Sequence, residues 1–350
     1  MNPPEVIAGQ TLALISALVQ IPVLIWHSKQ KNVATLCLVG WFLIFNLHTF
    51  ISGFVWSSDN IESWWNGDGT CDIMVRIQVG GHAGVVTATA ALARNLSIII
   101  SDQGPTIDLN SFRARMFDLM LALTCPVLIM ALLVISQQSR YMIFQYQGCT
   151  ADLSAQWPTI LICIVWPPIF AIVAVSYSLL ALVRYIRKQN DVKNFLHCTN
   201  SGLTRSRFVR LLAFCVIVAG VMLPLTIYIT VKDSSNIDTS QGYSWSRDHN
   251  SDWAIVHRFR AAGLFMDQWI YIILGLIQFA CLGTGSELVE TYRRVLRLDR
   301  RQEKKLLESS SFSSPRKSRG YGDTSPTTLA YSPSAHEFEM HVKLSKDDLP

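Results

Sequence analysis

Long apolar runs without charge constrain this chain more than any other feature of its sequence. Half of its 350 residues are hydrophobic and only 16% are charged, against roughly 25% in an average soluble domain. Lys, Arg, Asp and Glu almost vanish from several stretches of about 20 residues, a length that crosses the ~30 Å hydrocarbon core of a bilayer as a helix. The sequence therefore predicts an all-α membrane protein rather than two soluble domains.

Seven segments are predicted to span the membrane. They cover residues 6–26, 33–56, 74–100, 116–136, 158–183, 208–231 and 262–285. The first is interpreted as a retained span rather than a signal peptide, because Met1–Glu5 carries no Lys or Arg and no Ala-x-Ala cleavage motif follows it. The prediction is a seven-transmembrane helix bundle over residues 1–286.

Basic residues are concentrated in alternate loops, which predicts the orientation of the bundle. Three connecting loops and the segment after the last span hold most of the Lys and Arg, the loops being 27–32, 101–115 and 184–207. Loops 57–73 and 137–157 contain only Arg140, and loop 232–261 balances four basic residues with four aspartates. Because cytoplasmic loops carry the excess of positive charge, we expect the N-terminus outside and the C-terminus in the cytoplasm.

Two of the eight cysteines lie in loops that this orientation places outside. Cys71 and Cys149 are in the first and second outer loops, five others lie in predicted spans, and Cys198 lies in an inner loop. Because disulfides form on the oxidising side of a membrane, we expect Cys71 and Cys149 to be joined, the alternative being two free thiols. No CxxC or Cys/His cluster has the spacing of a metal site, so no metal is expected.

The spans lack residues that several classes of membrane protein require. A retinal protein needs a lysine in its last span, and residues 262–285 contain none. A transporter built from inverted repeats would show two similar halves, but Pro167–Pro168 has no counterpart in the first half. The motifs GxGxxG, GxxxxGK[ST], GxSxG and HExxH are missing. We therefore expect no enzyme activity, no cofactor and no nucleic-acid partner. A receptor is favoured, and the alternative is a seven-span transporter or channel that shares hydropathy only.

Polar residues recur on single faces of the third and seventh spans. In the third, small residues and Thr87 recur at steps of three and four between Arg76 and Arg94, which favours a central position in the bundle. The seventh carries Asp267 and Tyr271 on one stripe. An ionisable group within a membrane is a candidate functional residue, although polar side chains also hold helices together without touching a ligand.

The second span presents a choice between two polar residues. Asn46 and His48 are two positions apart, about 200° around a helix, so only one of them is expected to point inward. Four prolines are predicted to kink the fourth, fifth and sixth spans: Pro126, Pro167, Pro168 and Pro224.

Several motifs occur in the same order as in one known family. They are Pro22–Asn32 with Trp41 and Asn46, Trp65–Ile73 with Ala93–Leu96, Ser139–Ile143 through Cys149, Trp157, Trp166–Pro167, and Arg207–Leu211 with Leu223–Leu225. Over about residues 5–285 the chain thereby resembles the fungal mating-pheromone receptors of the a-factor, or lipopeptide, type. It has no Asp/Glu-Arg-Tyr triplet in the third span and no Asn-Pro-x-x-Tyr in the seventh, so the resemblance does not extend to the switches of animal receptors.

The resemblance implies a function and a set of partners. It implies a class D, or fungal, G-protein-coupled receptor, a multi-pass protein of the plasma membrane. Its ligand would be a farnesylated, methyl-esterified peptide pheromone, and its intracellular partner a heterotrimeric G protein that triggers the mating response. A prenylated peptide partitions into the lipid bilayer, so its receptor needs no large folded ectodomain.

Candidate site residues follow from their depth in the predicted spans. An extracellular peptide meets the outer halves of the bundle, where the polar and aromatic candidates are Arg76, Gln78, His82, Tyr141, Tyr228, Asp267, Gln268 and Tyr271. Because the ester of such a pheromone is uncharged, Arg76 and Asp267 are expected to contact polar groups of the peptide or each other. A G protein meets the inner surface, where the basic candidates are Arg94, Arg184, Arg187, Lys188, Arg205, Arg207 and Arg210.

The tail after the seventh span divides into two segments. Residues 287–308 are rich in both charges and place Leu288, Tyr292 and Leu296 on one helical face, which predicts an amphipathic basic helix on the inner leaflet. Residues 309–350 are rich in Ser and Pro, which is typical of a disordered cytoplasmic tail. Its three Ser-Pro dipeptides are either sites for tail-directed kinases or part of a low-complexity linker: Ser314, Ser325 and Ser332.

Overall fold

Seven long helices make up most of the computed structural model, which describes residues 3–101, 111–188, 205–235, 237, 242–285 and 289. The helices are α1 (Pro4–Lys29), α2 (Val33–Val55), α3 (Thr70–Ile99), α4 (Phe112–Leu132), α5 (Trp166–Arg187), α6 (Arg205–Ser235) and α7 (Met266–Gln278). Apart from Val289, the predicted tail segments 287–308 and 309–350 lie outside the described residues.

Six of these helices, together with the short turns that continue some of them, are long and apolar enough to cross a membrane. The helix outside this group is α3, which is long enough but rich in Gly, Ala and Thr and carries Gln78 and His82. The fold is thus mostly helical and built around apolar, membrane-capable segments, as the sequence predicts.

Local sequence signals mark where several helices begin. The Asn32 side chain accepts a hydrogen bond from the backbone N–H of Thr35 at 3.2 Å, which caps α2, and Ser111 caps α4 through Ala114 at 3.2 Å. Such side chains satisfy backbone donors that the first turn of a helix leaves unpaired. Gly69, with φ of 76°, starts α3 and donates its N–H to the Asp72 carboxylate at 3.1 Å.

Helix α3 lies in the middle of the bundle. Eighteen of its 30 residues are buried, because it packs against α2, α4, α5 and α6. Its small side chains allow this close approach: Gly84 lies against the Trp41 ring of α2, and the Thr87 hydroxyl donates to the Ala122 carbonyl of α4 at 2.8 Å. The small-residue face seen in the sequence therefore has the role that its spacing predicts.

The fifth span begins at Trp157, one residue before its predicted start, and is interrupted near its prolines. The predicted span 158–183 is divided into a short helix, Trp157–Thr159, a π-helical turn, Ile160–Ile164, and then α5. Pro167 and Pro168 occupy the first turn of α5, where a residue without a backbone N–H is tolerated. Pro126 and Pro224 instead lie inside α4 and α6.

The seventh span begins later than predicted. Helix α7 starts at Met266 rather than at residue 262 and continues as a π-helical turn, Phe279–Gly283. The residues just before it belong to the loop between α6 and α7, which contains a short β-strand, and this is why the predicted start is wrong by about one helical turn.

A small sheet in the loops at one end of the bundle corrects the all-α prediction. Strands β1 (Met142–Phe144) and β2 (Gly148–Thr150) pair antiparallel, and β3 (His257–Phe259) lies parallel to β1 on its other side. We call residues 137–154 together with β3 the lid. Beneath it the Trp56, Trp64, Tyr141 and Ile143 side chains form a separate apolar cluster.

A disulfide joins the lid to α3. Cys71 in the first turn of α3 is bonded to Cys149 of β2, with 5.4 Å between their Cα atoms. The predicted pairing is thereby confirmed. Both cysteines are buried in the apolar cluster under the sheet, so the bond fixes the lid at the same end of the bundle as the start of α3.

The ends of α3 and α5 and the start of α6 meet at the opposite end. The Arg184 guanidinium of α5 donates to the Ser97 carbonyl of α3 at 2.7 Å, and the rings of Tyr185 and Phe208 stack at 5.9 Å. A small cleft at the same end joins the end of α1 to α6 through His27 and Arg207. The lid and this end thus define two separate surfaces of the bundle.

Candidate functional site

A cavity of about 230 Å³ lies between the lid and the adjacent half of the bundle. One face of α6 forms its longest wall, with residues at steps of three and four, namely Met222, Leu225, Thr226, Ile229, Thr230 and Asp233. The opposite walls come from α2, α3 and α7, the lid closes the top, and the π-helical turn before α5 closes one side.

Aromatic and polar side chains from three helices form the inner wall of the cavity. The His82 Nδ1 of α3 and the Tyr271 hydroxyl of α7 share a hydrogen bond of 2.5 Å. The Tyr271 ring stacks on Phe45 of α2, with 4.4 Å between centroids. In addition, the Asn46 side chain donates to the Tyr271 carbonyl at 3.2 Å. These contacts hold α2, α3 and α7 together directly below the space available to a ligand.

The expectation that only one of Asn46 and His48 points inward is wrong. Both side chains are buried, because α2 has neighbours on both sides and therefore no single inward face. Asn46 points towards α7, whereas His48 lines the cavity and its Nε2 lies 3.1 Å from both Gln78 Nε2 and Ser52 Oγ. His48 is a cavity residue that sequence reasoning missed.

Five of the eight predicted ligand residues line the cavity, and they are Gln78, His82, Asp267, Gln268 and Tyr271. They come from α3 and from the first turns of α7, which the structure brings together. The Gln268 side chain also accepts a hydrogen bond from the Phe265 N–H at 3.2 Å, so it fixes the start of α7 as well as facing the cavity.

The other three predicted residues lie elsewhere. The Arg76 guanidinium donates to the Asp72 carbonyl of its own helix at 2.6 Å, and among the described residues it forms no ion pair with Asp267. Tyr228 is 56% exposed on the outer surface of α6, one residue and about 100° away from the cavity-lining Ile229. The structure therefore brings neither residue to the cavity.

Tyr141 is part of the lid and not of the cavity wall. Its ring is fully buried in the cluster under the sheet, and its hydroxyl donates to the Asn66 carbonyl at 3.0 Å. Burial raises the pKa of this hydroxyl to about 12, so it remains a donor at physiological pH. Tyr141 thus holds the first outer loop against the lid.

Arg140 connects the lid to the start of α3 by three hydrogen bonds. Its Nε and Nη2 bind the two carboxylate oxygens of Asp72 at 2.8 and 2.6 Å, and its Nη1 binds Asp68 at 2.8 Å. Hydrogen bonding to Asp72 raises the pKa of Arg140 further above its usual range. In the sequence, Arg140 is notable only as the one basic residue of loops 57–73 and 137–157, and its ion pairs are not predicted.

The seven predicted coupling residues lie at the end of the bundle opposite the lid. Arg94 is 3.9 Å from the buried Asp118 of α4 and lies over the Phe117 ring at 4.5 Å, while Arg184 binds α3. These two arginines therefore hold helices together. The remaining five lie at the end of α5 and the start of α6 and are exposed or half-buried: Arg187, Lys188, Arg205, Arg207 and Arg210.

Neither surface carries a recognisable metal site. Within the ranges that the structure describes, no three His, Cys, Asp or Glu side chains are grouped so that they could hold a metal ion. The cavity instead combines apolar walls with a few polar groups, the composition typical of a small-molecule or lipid site.

Comparison with known proteins identifies the family. The family model described as "Pheromone A receptor" matches residues 9–304, which include the lid, helices α2 to α7 and α1 apart from its first five residues. The chain belongs to the pheromone A receptor family. This confirms the resemblance seen in the sequence motifs, and it places the cavity and the basic surface in a family of receptors.

Several fungal receptors of this family are similar to the chain. The pheromone a factor receptor of Saccharomyces cerevisiae is 33% identical over 287 residues, 82% of this chain and 61% of the relative. Pheromone receptor 1 of Ustilago hordei is 25% identical over 81% of each chain. The pheromone M-factor receptor of Schizosaccharomyces pombe is 26% identical over 63% of this chain and 60% of its own length.

The match does not extend over the full length of every relative. The chain spans 61% of the S. cerevisiae receptor and half of the pheromone B alpha 2 receptor of Schizophyllum commune. No solved structure matches the chain.

Proposed function

We propose that this protein is a G-protein-coupled receptor of the plasma membrane for a farnesylated peptide mating pheromone. Binding of the pheromone activates a heterotrimeric G protein and so triggers the mating response. The observation that carries this proposal is the cavity beneath the lid, in a chain whose family is that of the pheromone A receptors.

The membrane topology is part of the proposal. All seven helices cross the bilayer, with the N-terminus and the lid outside and the C-terminus in the cytoplasm. Two observations support this arrangement. The disulfide lies in the lid, on the side where disulfides form, and the basic ends of α5 and α6 lie at the opposite end, as the excess of positive charge in cytoplasmic loops requires.

The size and lining of the cavity fit part of a lipidated peptide. Pockets that enclose drug-sized ligands measure roughly 300–1,000 Å³, so a space of about 230 Å³ takes only one portion of such a ligand. We assign this space to the farnesyl group, because Leu225, Ile229 and Met222 supply an apolar wall. Gln78, His82 and Gln268 then bind the adjoining peptide groups.

The opposite surface is assigned to the G protein. The basic residues at the end of α5 and the start of α6 would attract an acidic face of the partner and speed the encounter. Arg94 and Arg184 act differently in this scheme. They hold α3 to α4 and α5, so a change at either residue would alter helix packing as well as coupling.

Guanine-nucleotide exchange tests the proposed function directly. The purified receptor, reconstituted with a fungal Gα, is exposed to a panel of synthetic farnesylated, methyl-esterified peptides and to their unmodified counterparts. We expect at least one farnesylated peptide to accelerate exchange and its unmodified counterpart to do so far less. Transport of a solute without any effect on exchange would contradict the proposal and favour a transporter or channel.

A pair of double variants tests the coupling surface. Arg205→Glu/Arg207→Glu should abolish exchange, because two reversed charges would repel the acidic face of the G protein. Peptide binding should stay within about twofold, because both residues lie at the end of the bundle opposite the cavity. The matched control is Lys29→Glu/Lys31→Glu, which reverses two exposed charges at the end of α1 and just after it and should leave exchange nearly unchanged. Equal exchange in both double variants, at equal surface amounts, would refute the assignment.

A further inference from the structure

A second, polar pocket of about 370 Å³ lies within the outer loops. It is separate from the cavity in the bundle, and it is lined by three carboxylates, those of Asp152, Asp248 and Asp252. Among the described residues that line it, Arg247 is the one basic side chain other than His257. The lining therefore carries an excess of negative charge.

Asp248 has a carboxylate oxygen without a hydrogen bond. Its side chain is only 6% exposed, and its Oδ1 accepts a hydrogen bond from the Gln156 side chain and lies 4.0 Å from Arg247 Nε. Its Oδ2 is buried and has no hydrogen-bond partner among the described residues. Gln156 is itself held by the Ser244 N–H at 3.3 Å, so the carboxylate is fixed in place. A buried, fixed carboxylate oxygen without a donor is costly, and a cation held in the pocket that Asp248 lines would offset that cost.

One extended segment separates this pocket from the cavity in the bundle. Along residues 151–154, Ala151 and Leu153 line the bundle cavity, whereas Asp152 and Ser154 line the acidic pocket. This alternation is that of an extended chain, whose successive side chains point to opposite faces about 3.3 Å apart along the backbone. Hydrogen bonds from Gln138 N to Asp152 O at 2.9 Å and from Ser154 N to Ser136 O at 2.8 Å hold the segment in place.

We infer that the acidic pocket binds a cationic group of the peptide whose lipidated end occupies the bundle cavity. The group is an N-terminal ammonium or a Lys or Arg side chain. An ammonium or guanidinium donates only hydrogen bonds, which matches a pocket of carboxylates with an unused acceptor. Among the described residues no three His, Cys, Asp or Glu side chains group as metal ligands, so a metal ion is the poorer occupant. This inference rests on the proposed function, since it needs a lipopeptide ligand.

Paired synthetic peptides test the inference. The most active farnesylated peptides of the panel are remade with each lysine replaced by norleucine, each arginine by citrulline, and the N-terminal amine acetylated. At least one neutral version should need about tenfold more peptide for half-maximal exchange on the unchanged receptor, the size expected for one charge-assisted hydrogen bond. On the Asp248→Asn receptor, this tenfold difference between the charged peptide and its neutral version should fall to about twofold or less.

Two further variants complete the test. Asp152→Asn changes a half-buried pocket carboxylate and should also reduce the preference, which keeps the inference testable if Asp248→Asn fails to reach the surface. Glu62→Gln removes an exposed charge of the same outer loops, outside the pocket, and should retain the full preference.

The outcomes separate the inference from the proposed function. If no farnesylated peptide drives exchange, both are overturned. If farnesylated peptides drive exchange but every neutral version is as active as the charged peptide, only the proposed role of the acidic pocket is refuted. The same conclusion follows if both pocket variants keep the preference for the charged peptide. Guanine-nucleotide exchange that requires millimolar Ca²⁺ and does not depend on peptide charge would indicate that the pocket binds a metal ion. That result would also refute the inference.

Discussion

Arg140→Ala should loosen the lid while leaving the helix bundle intact. In the structure Arg140 is the junction between the lid and the start of α3, through both oxygens of Asp72 and one oxygen of Asp68. The substitution removes all three hydrogen bonds. It also leaves two carboxylates near each other without the cation that now lies between them.

The size of the effect follows from the exposure of each partner. The Asp68 side chain is 58% exposed, so its ion pair contributes only about 0.5 kcal/mol. The Asp72 side chain is 26% exposed and is bound by two parallel hydrogen bonds, which together contribute about 1.5 kcal/mol. The loss of about 2 kcal/mol corresponds to a roughly 30-fold increase in transient opening of the lid.

Amide hydrogen exchange of the detergent-solubilised or nanodisc-embedded receptor measures this opening. Peptides that cover residues 139–146 should exchange up to about 30-fold faster in Arg140→Ala, and peptides from α1 and α2 should be unchanged. The matched control is Arg260→Ala, which removes an exposed arginine of the same face with one hydrogen bond, to the Asp59 carbonyl at 3.1 Å. Equal exchange of the lid in both variants would show that Arg140 does not hold it.

Two more substitutions probe the bundle and the disulfide. Cys71→Ser should lower the receptor's free energy of unfolding by about 4 kcal/mol, since the Cys71–Cys149 bond spans 78 residues; unchanged thermal stability and surface expression would contradict this. Gly84→Ala should cost about 1–3 kcal/mol, because the new methyl group would overlap the Trp41 ring. In the control Gly40→Ala, no neighbouring side chain lies within 4 Å of the added methyl group, so this substitution should be neutral or slightly stabilising. Equal melting temperatures of the two glycine variants would contradict the packing of α3 on α2.

The sequence predicts the long helices well because the bilayer sets their length and composition. Its errors have local causes. The seventh span starts about one turn later than predicted, at Met266, because the residues before it belong to a loop that contains a short strand. The sheet in the lid escapes prediction because each strand has only three residues, too few for an alternating pattern to be seen.

The cavity is only partly predictable from the sequence, for a physical reason. Depth and polarity identify Gln78, His82 and Tyr271, because a polar side chain in an apolar span is costly and is therefore a candidate functional residue. An apolar side chain gives no such signal: Ile227 is exposed on α6, whereas Ile229 lines the cavity, and both look alike in the sequence. The role of Arg140 was equally hidden, because its partner Asp72 lies 68 residues away in the chain.

Photo-crosslinking of the lipid group shows whether the cavity under the lid receives the lipidated end of a peptide. An activating farnesylated peptide is remade with a diazirine on the farnesyl chain, bound, irradiated and mapped by mass spectrometry. We expect adducts on cavity residues such as Leu225, Ile229 and Tyr271, and we expect excess unlabelled peptide to abolish them. Adducts confined to outward-facing residues such as Tyr228 and Ile227, or labelling that excess peptide does not reduce, would contradict this expectation.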